Sequence, residues 1–324
     1  MPGRGSLSRY PRLAAHSGNP AMKRKVSRLQ LREYLWAYTF LGPAFFFLLV
    51  LVVFPILFAF WISLHDWNLI PRDFPWIGLA NYAEVIEDAL TRKSLRNTLV
   101  YTVGVVPVGM SLALVLALIM NQDRLPLRTA LRTVYFIPVI TSWVAVSFVW
   151  IWMFEPHFGL VNSVLDFFGI EGPKWLASPT WALPAIMLVA IWKGLGFSMV
   201  IFLAGLQGIP REFYEAAQID GASRWARFQN ITFPLLNPTI VFITVTGVIG
   251  SLQVFTPAVI MTTRQGEAGG PIDSTRVMVY HIYATAFRYN DLGFGAALAF
   301  VLFALILVIT LIQLRVTQRE FEYG

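Results

Sequence analysis

The stretch that decides the fold is Arg211–Pro238, REFYEAAQIDGASRWARFQNITFPLLNP. It is polar and hairpin-like, and it lies between two long apolar segments. Pro210 suits a first helical position, where its missing N–H costs nothing. Glu212–Gln218 then reads as a short helix with acidic residues near its positive N-terminal end. Asp220-Gly221 is a turn signal, because Gly221 can take the left-handed geometry that stops a helix. Ser223 can cap a second short helix that runs through Trp225, Phe228 and Ile231 at helical spacing. Pro234 and Pro238 mark entry into the next apolar segment. The small pair Ala216 and Ala217 lets the first helix approach another surface closely, with Glu215, Asp220, Arg224 and Arg227 supplying charge around that contact.

The surroundings are those of a membrane protein. The chain has 324 residues, 56% of them hydrophobic and 13% charged, and a mean hydropathy of +0.62. That is too apolar for an ordinary soluble domain. Apolar segments near 35–63, 98–120, 133–154, 181–206, 235–261 and 292–314 are each long enough to cross a bilayer, which takes about 20 residues. The expected fold is therefore all-α and polytopic, with six transmembrane helices and the polar hairpin between the fourth and fifth. Six spans put both termini on one side. Residues 1–34 form a basic tail carrying Arg4, Arg9, Arg12, Lys23, Arg24, Lys25, Arg28 and Arg32, and the 121–132 loop carries Arg124, Arg128 and Arg132 against Asp123. Because positive loops stay inside, these segments, the hairpin and the short 316–324 tail are expected in the cytoplasm. The tail reads as a topology signal, with contact to anionic membrane lipid as the other reading. Its following apolar segment is too long and too late for a cleavable signal peptide.

Several function classes are excluded or weakened. The net charge of +7 belongs to cytoplasmic membrane loops, so nucleic acid is not an expected partner. With no cysteine there is no disulfide, thiolate metal site or Cys nucleophile. No G-x-x-x-x-G-K-[ST] loop occurs, so any ATP must be bound by another chain. His16, His65, His157 and His281 show no paired metal spacing, and no catalytic set lies in the spans. No catalytic residue, metal or cofactor is expected on this chain.

Lys193 is the sharpest oddity. A charge near mid-membrane costs roughly 3 kcal/mol on insertion scales and usually faces protein or water. It pairs with a backbone carbonyl, snorkels, or lines a substrate path, for which Gly194 and Gly196 open space; Phe197 lies one turn on, on the same face. In the fifth span, Thr246, Gly250 and Gln253 share one helix face. Such a polar stripe is either packing glue or a lining.

Glu215-Ala216-Ala217, then Asp220-Gly221, then Ile231 and Pro234 resemble the EAA signature of inner-membrane permease subunits of bacterial ABC importers. Phe233 stands where that family usually has Leu. Gly78, Asn81 and Tyr82, and later Gly269-Gly270-Pro271, Ser274-Thr275, Tyr283, Ala286-Phe287 and Gly293, are similar to the carbohydrate-importing members of the maltose/glycerol-phosphate type. The resemblance implies a type I permease fold over residues 35–315, with 211–234 as the coupling segment that docks on a separate ATPase. It also implies a second homologous permease, an ATPase dimer carrying ATP and Mg, and an extracytoplasmic binding protein delivering a di- or oligosaccharide across a bacterial inner membrane. In maltose-type members the fourth and fifth spans contribute to the sugar site. This tips Lys193, Gly194, Phe197, Thr246, Gly250 and Gln253 toward lining, with Phe197 and Phe255 available to stack on a sugar ring. The rival readings are import of glycerol 3-phosphate or a related phosphorylated polyol, with Lys193 meeting the phosphate, and an ion-coupled secondary transporter.

Overall fold

A computed structural model describes residues 28–68, 74–122, 126–263 and 269–317; the first part of the basic tail and the end of the C-terminal tail lie outside them. Among the described residues the chain is helical, and isolated bridges at His65–Trp76 and Asn68–Asp291 stand in for strands. It divides into two units between Leu57 and Phe58. The first holds α1 (Arg28–Leu48) and a π turn at Leu49–Val53 that continues into α2 (Phe54–Ser63). The π turn has a local cause. Pro55 has no N–H to offer the carbonyl one turn back, so the helix widens just before it and the Phe54 N–H reaches back to the Leu49 carbonyl.

The second unit continues with α3 (Ala80–Glu87), α4 (Ala89–Met120), α5 (Arg128–Ile140), α6 (Trp143–Met153), α7 (Leu160–Phe167) and α8 (Ala182–Gln207). The polar hairpin holds α9 (Arg211–Ile219) and α10 (Arg224–Arg227), then a second π turn at Phe228–Thr232 and α11 (Phe233–Leu235). That π turn also precedes a proline, Pro234. Finally come α12 (Asn237–Leu252), α13 (Thr256–Thr263), α14 (Met278–Tyr283) and α15 (Leu292–Thr317). Among the described residues four helices, Arg32–Ser63, Ala89–Met120, Ala182–Gln207 and Leu292–Val316, are long and apolar enough to span, and the total reaches six if each of two bent pairs is one span.

The bends correct the expected continuous third and fifth spans. α5 and α6 meet at 101°, and the hairpin's second arm meets α12 at 62°. In the first case α5 ends two residues after Pro138, Thr141 is extended (ψ 140°), and Ser142 caps α6 by accepting from the Val144 N–H. The fifth helix stops at Leu252, and Gln253–Phe255 interrupt it before α13. The second span starts earlier than its apolar run, because the Asp88 carboxylate caps α4 through the Thr91 N–H. Pro210 sits at the N-cap of α9, one residue before the helix.

The core forms along α4 and α8, which run in the same direction. Toward their N-terminal ends Tyr101 packs with Ile186 and Val189; toward their C-terminal ends Ala113, Ala117 and Met120 pack with Phe202 and Leu203. α12 joins through Val106, Val248 and Leu252, and α15 packs Ala297 and Leu298 on Val85 and Met278. In lipid such association depends on close packing rather than water exclusion, which favours small residues at the contacts. Gly196 shows this: an added Cβ would lie 2.1 Å from the Tyr135 carbonyl oxygen on α5, whereas one at Gly194 would meet open space. We expect Gly196→Val to lower stability by about 1–3 kcal/mol, the usual range for overpacking, and Gly194→Ala to be near neutral. Thermal unfolding of the two variants in detergent measures the difference.

Candidate functional site

A cleft runs between α4, α8 and α12. One part, of about 240 Å³, is bordered by Val105, Gly109, Gly194, Phe197, Ser198 and Thr246. A second, of about 410 Å³, continues past Tyr101, Trp143, Gly250, Gln253 and Phe255. The two share Val105, Ala190, Thr246, Gly247 and Ser251. Together they have the scale of a small-molecule site. No charged side chain borders either part among the described residues. The Thr246 hydroxyl donates to the Phe242 carbonyl at 2.7 Å, which leaves its oxygen able to accept. The structure thus brings Gly194, Phe197, Thr246, Gly250 and Gln253 together around one space. Tyr101, Trp143 and Ser251 also border it and were not singled out in the sequence; Trp143 follows Pro138 and Thr141-Ser142, a run that could have marked a break.

Lys193 does not border this cleft. The four-residue spacing that puts it near Phe197 leaves the two ends apart: Phe197 is 49% exposed, while Lys193 is 6% exposed and turned toward the α5–α6 break. Its ammonium donates to the carbonyls of Pro138 (2.7 Å), Val139 (3.1 Å) and Thr141 (2.8 Å). These oxygens lie at and just beyond the C-terminus of α5, where a cation is favoured, and the Pro138 carbonyl also receives the Thr141 N–H at 3.4 Å. Of the readings open from sequence, pairing with backbone carbonyls is the geometry observed.

At the far end of α8 the hairpin presents a second surface. α9 ends in a Schellman arrangement, with Ala222 N–H donating to the Ala217 carbonyl at 2.8 Å and Gly221 N–H to Gln218 at 3.1 Å. Gly221 has φ +76°, the left-handed geometry that a Cβ penalises. The Ser223 hydroxyl caps α10 through the Ala226 N–H. Tyr214 and Thr232 hydrogen-bond at 3.0 Å and tie the two arms, and Tyr214 and Ile231 both pack against the core cluster that holds Ile209 and Leu236. Glu215, Ala216, Asp220 and Gly221 are exposed, Ala217 is half-buried, and Pro234 lies at the base. Phe213, Ile219 and Trp225 are 47%, 87% and 68% exposed, an apolar surface of the kind that marks an interface.

The remaining singled-out loop residues build the rim at the N-terminal end of α4. Asn81 donates to the carbonyls of Ser63 and His65, and Tyr82 meets Ser63 at 2.7 Å. Gly269 and Gly270 have positive φ, and a Cβ on Gly293 would strike the His65 carbonyl oxygen. Asn97 donates to Asp273 and Arg276 carbonyls. His281, 3% exposed, faces Thr91 at 3.1 Å, Asp88 at 3.4 Å and Arg276 at 3.4 Å. Burial, then the Arg276 guanidinium, pushes its imidazole below the ordinary value against the pull of Asp88. Burial would raise the Asp88 carboxyl, but hydrogen bonds from the Thr91 hydroxyl and the Thr91 and Leu90 N–H groups, with His281, hold it below its ordinary value. Glu84 and Asp291 are raised, chiefly by burial. Among the described residues no His/Asp/Glu group could hold a metal ion.

Long apolar helices joined by a polar hairpin define a multi-pass helical membrane protein. The chain belongs to the binding-protein-dependent transport system inner membrane component family, which matches residues 106–321. That family is the membrane component of a transport system and not an enzyme. The chain is 37% identical to the sulfoquinovosyl glycerol transport system permease protein SmoG of Agrobacterium fabrum, over 90% of this chain and 93% of that one. It is 34% identical to the lactose transport system permease protein LacF of Rhizobium radiobacter (89% and 96%) and to the trehalose/maltose transport system permease protein MalF of Thermococcus litoralis (90% and 96%). Its fold matches a chain of a bacterial ABC transporter involved in the import of the acidic polysaccharide alginate. The TM-score there is 0.78, at 24% identity, over 91% of this chain and 100% of that one.

The rim has a pH signature. Groups held below their ordinary values, His281 and Asp88, stabilise the fold above those values and lose that contribution as pH falls. Glu84 and Asp291 act in the opposite sense, in the carboxylate range. Between pH 7.5 and 5.5 the histidine therefore dominates. The unfolding temperature should fall across that window, and His281→Gln should flatten the fall. An unchanged slope in the variant would assign the pH dependence elsewhere.

Proposed function

We propose that this chain is the permease subunit of an ATP-driven importer that takes up a di- or oligosaccharide. The observation that carries the reading is an exposed, apolar-faced helix, α9, at one end of an unbroken span whose middle borders an uncharged cleft. Aromatic rings at Tyr101, Phe197 and Phe255 suit the C–H faces of a sugar, and Thr246, Ser251 and Gln253 suit its hydroxyls. The sugar-named relatives support the substrate class. A phosphorylated polyol gains nothing, since the ammonium of Lys193 is already taken by three carbonyls.

In this reading the protein sits in a bacterial inner membrane with six spans, each bent pair counting as one, and with both termini in the cytoplasm. Asn121 and Arg128 of the positive 121–132 loop lie beside Gln207, Arg211 and Tyr214 at the hairpin, which supports one side for both under the charge rule. Glu215, Ala216, Ala217, Asp220 and Gly221 dock on an ATPase dimer that binds ATP and Mg, and Ile231 and Pro234 fix the base. A second homologous permease closes the open side of the cleft. An extracytoplasmic binding protein delivers the sugar; a structure with 24% identity to this chain is an alginate transporter in complex with an oligosaccharide-bound periplasmic protein. Closure of the ATPases displaces α9, and the spans exchange access between the two sides.

Gly221→Pro demands φ near −65° where the chain has +76°. With Glu215→Ala, it should lower sugar-stimulated ATP hydrolysis at least tenfold in the assembly in lipid discs, while the chain still inserts. Wild-type hydrolysis in both variants would remove α9 as the coupling element. Stimulation of the wild-type assembly by lactose, trehalose or maltose, but not glycerol 3-phosphate, is the expected substrate result.

A further inference from the structure

We propose that Trp143 is a specificity-determining residue of the cleft and that Lys193 is its positioning residue. The proposal rests on the cleft being the sugar path. Trp143 is the first residue of α6 and borders the cleft beside Gln253 and Phe255. The Lys193 ammonium lies over its ring, 5.1 Å from the centroid, within the range at which a cation is held by an aromatic face. The same ammonium binds the three carbonyls of the α5–α6 break. One buried charge therefore fixes both the corner that aims the indole and the ring itself.

Each link has a physical reason. A helix that stops inside lipid leaves carbonyls with no water to bind, so a fixed donor sets where the break falls. Thr141 is extended and Ser142 caps the new helix, so Trp143 takes its direction from this corner. Gly196 lets α5 approach α8 until its Tyr135 carbonyl nearly touches, which brings the break within reach of Lys193. Trp143 also packs against the core formed by Val146, Trp150, Ile186 and Val189, so the ring is held from behind and from below. A broad aromatic surface beside a polar amide and hydroxyls is what a pyranose ring needs: one face to stack, an edge to hydrogen-bond.

The test uses the full transporter in proteoliposomes, with lactose, trehalose and maltose as probes and the best transported sugar carried forward. Trp143→Leu should raise KM at least tenfold with maximal rate within threefold, and Trp143→Phe should stay within threefold of wild type. Lys193→Met should raise KM similarly, Lys193→Arg should hold it within threefold, and the double variant W143L/K193M should add less than threefold to either single change, since coupled residues are not additive. A KM unmoved by Trp143→Leu, or effects that multiply in the double variant, would overturn the proposal. The chain has no cysteine, so Trp143→Cys gives an independent readout if Lys193→Met does not assemble. The transported sugar should slow its reaction with a methanethiosulfonate reagent at least fivefold, with Lys193→Arg in the same chain keeping that protection. Lack of protection would overturn the assignment as well. Gly250→Trp separates this from failure of the path itself. A side chain there projects into open space, so unimpaired uptake in that variant would reject the cleft as the path, whereas blocked uptake with an inert Trp143 would reject the platform alone.

Discussion

Everything in this fold answers to the absence of water in the bilayer. A backbone carbonyl that loses its helical partner must find another donor within the protein. The α5–α6 break concentrates that demand: the oxygens of Pro138, Val139 and Thr141 meet at one corner, where the Pro138 oxygen also receives the Thr141 N–H at 3.4 Å and the Lys193 ammonium donates to all three. The cost of a buried charge and the cost of unsatisfied carbonyls offset each other. The pairing permits a 101° turn where an uninterrupted span would otherwise run.

The same rule explains the helix irregularities. Two of the three π turns among the described residues, Leu49–Val53 and Phe228–Thr232, sit just ahead of a proline, Pro55 and Pro234, whereas the third, Ala284–Arg288, has none after it. Widening the turn lets the N–H before the proline reach one residue further back, which softens the loss of a donor without ending the helix. At the rim, side chains take over: Asn81, Asn97 and Thr98 supply contacts between segments that are far apart in sequence.

Much of this was legible in the residues. The hairpin's turn at Gly221 and the cap at Ser223 came directly from local geometry, because a left-handed residue and a side-chain cap are decided within four positions. Of the stripe, Thr246 and Gly250 lie on α12, whereas Gln253 falls at the interruption after Leu252 and borders the cleft from there; the all-helical membrane class was legible from the apolar runs. Lys193 was not. Its position in the chain shows a charge among apolar neighbours, but its acceptors are more than 50 residues away, on another helix. Trp143 was hidden by the same break, since hydropathy averages over Thr141-Ser142 and reports one continuous span. Phe197 was placed with Lys193 by periodicity, which describes where side chains leave the helix and not where a long one ends.

One plain feature of α8 has a mechanical meaning. Its 26 residues run without proline kink or π turn from Ala182 to Gln207, a rod of about 39 Å at the usual rise per residue. α9 hangs from one end through a three-residue link, Gly208–Pro210, and the cleft sits near the middle. A rod of that length that pivots near its middle converts a tilt of about 10° into opposite shifts of roughly 3 Å at its two ends. A push on the hairpin thus reaches the opposite face with its sign reversed, and the lever has no joint in which the motion could be lost.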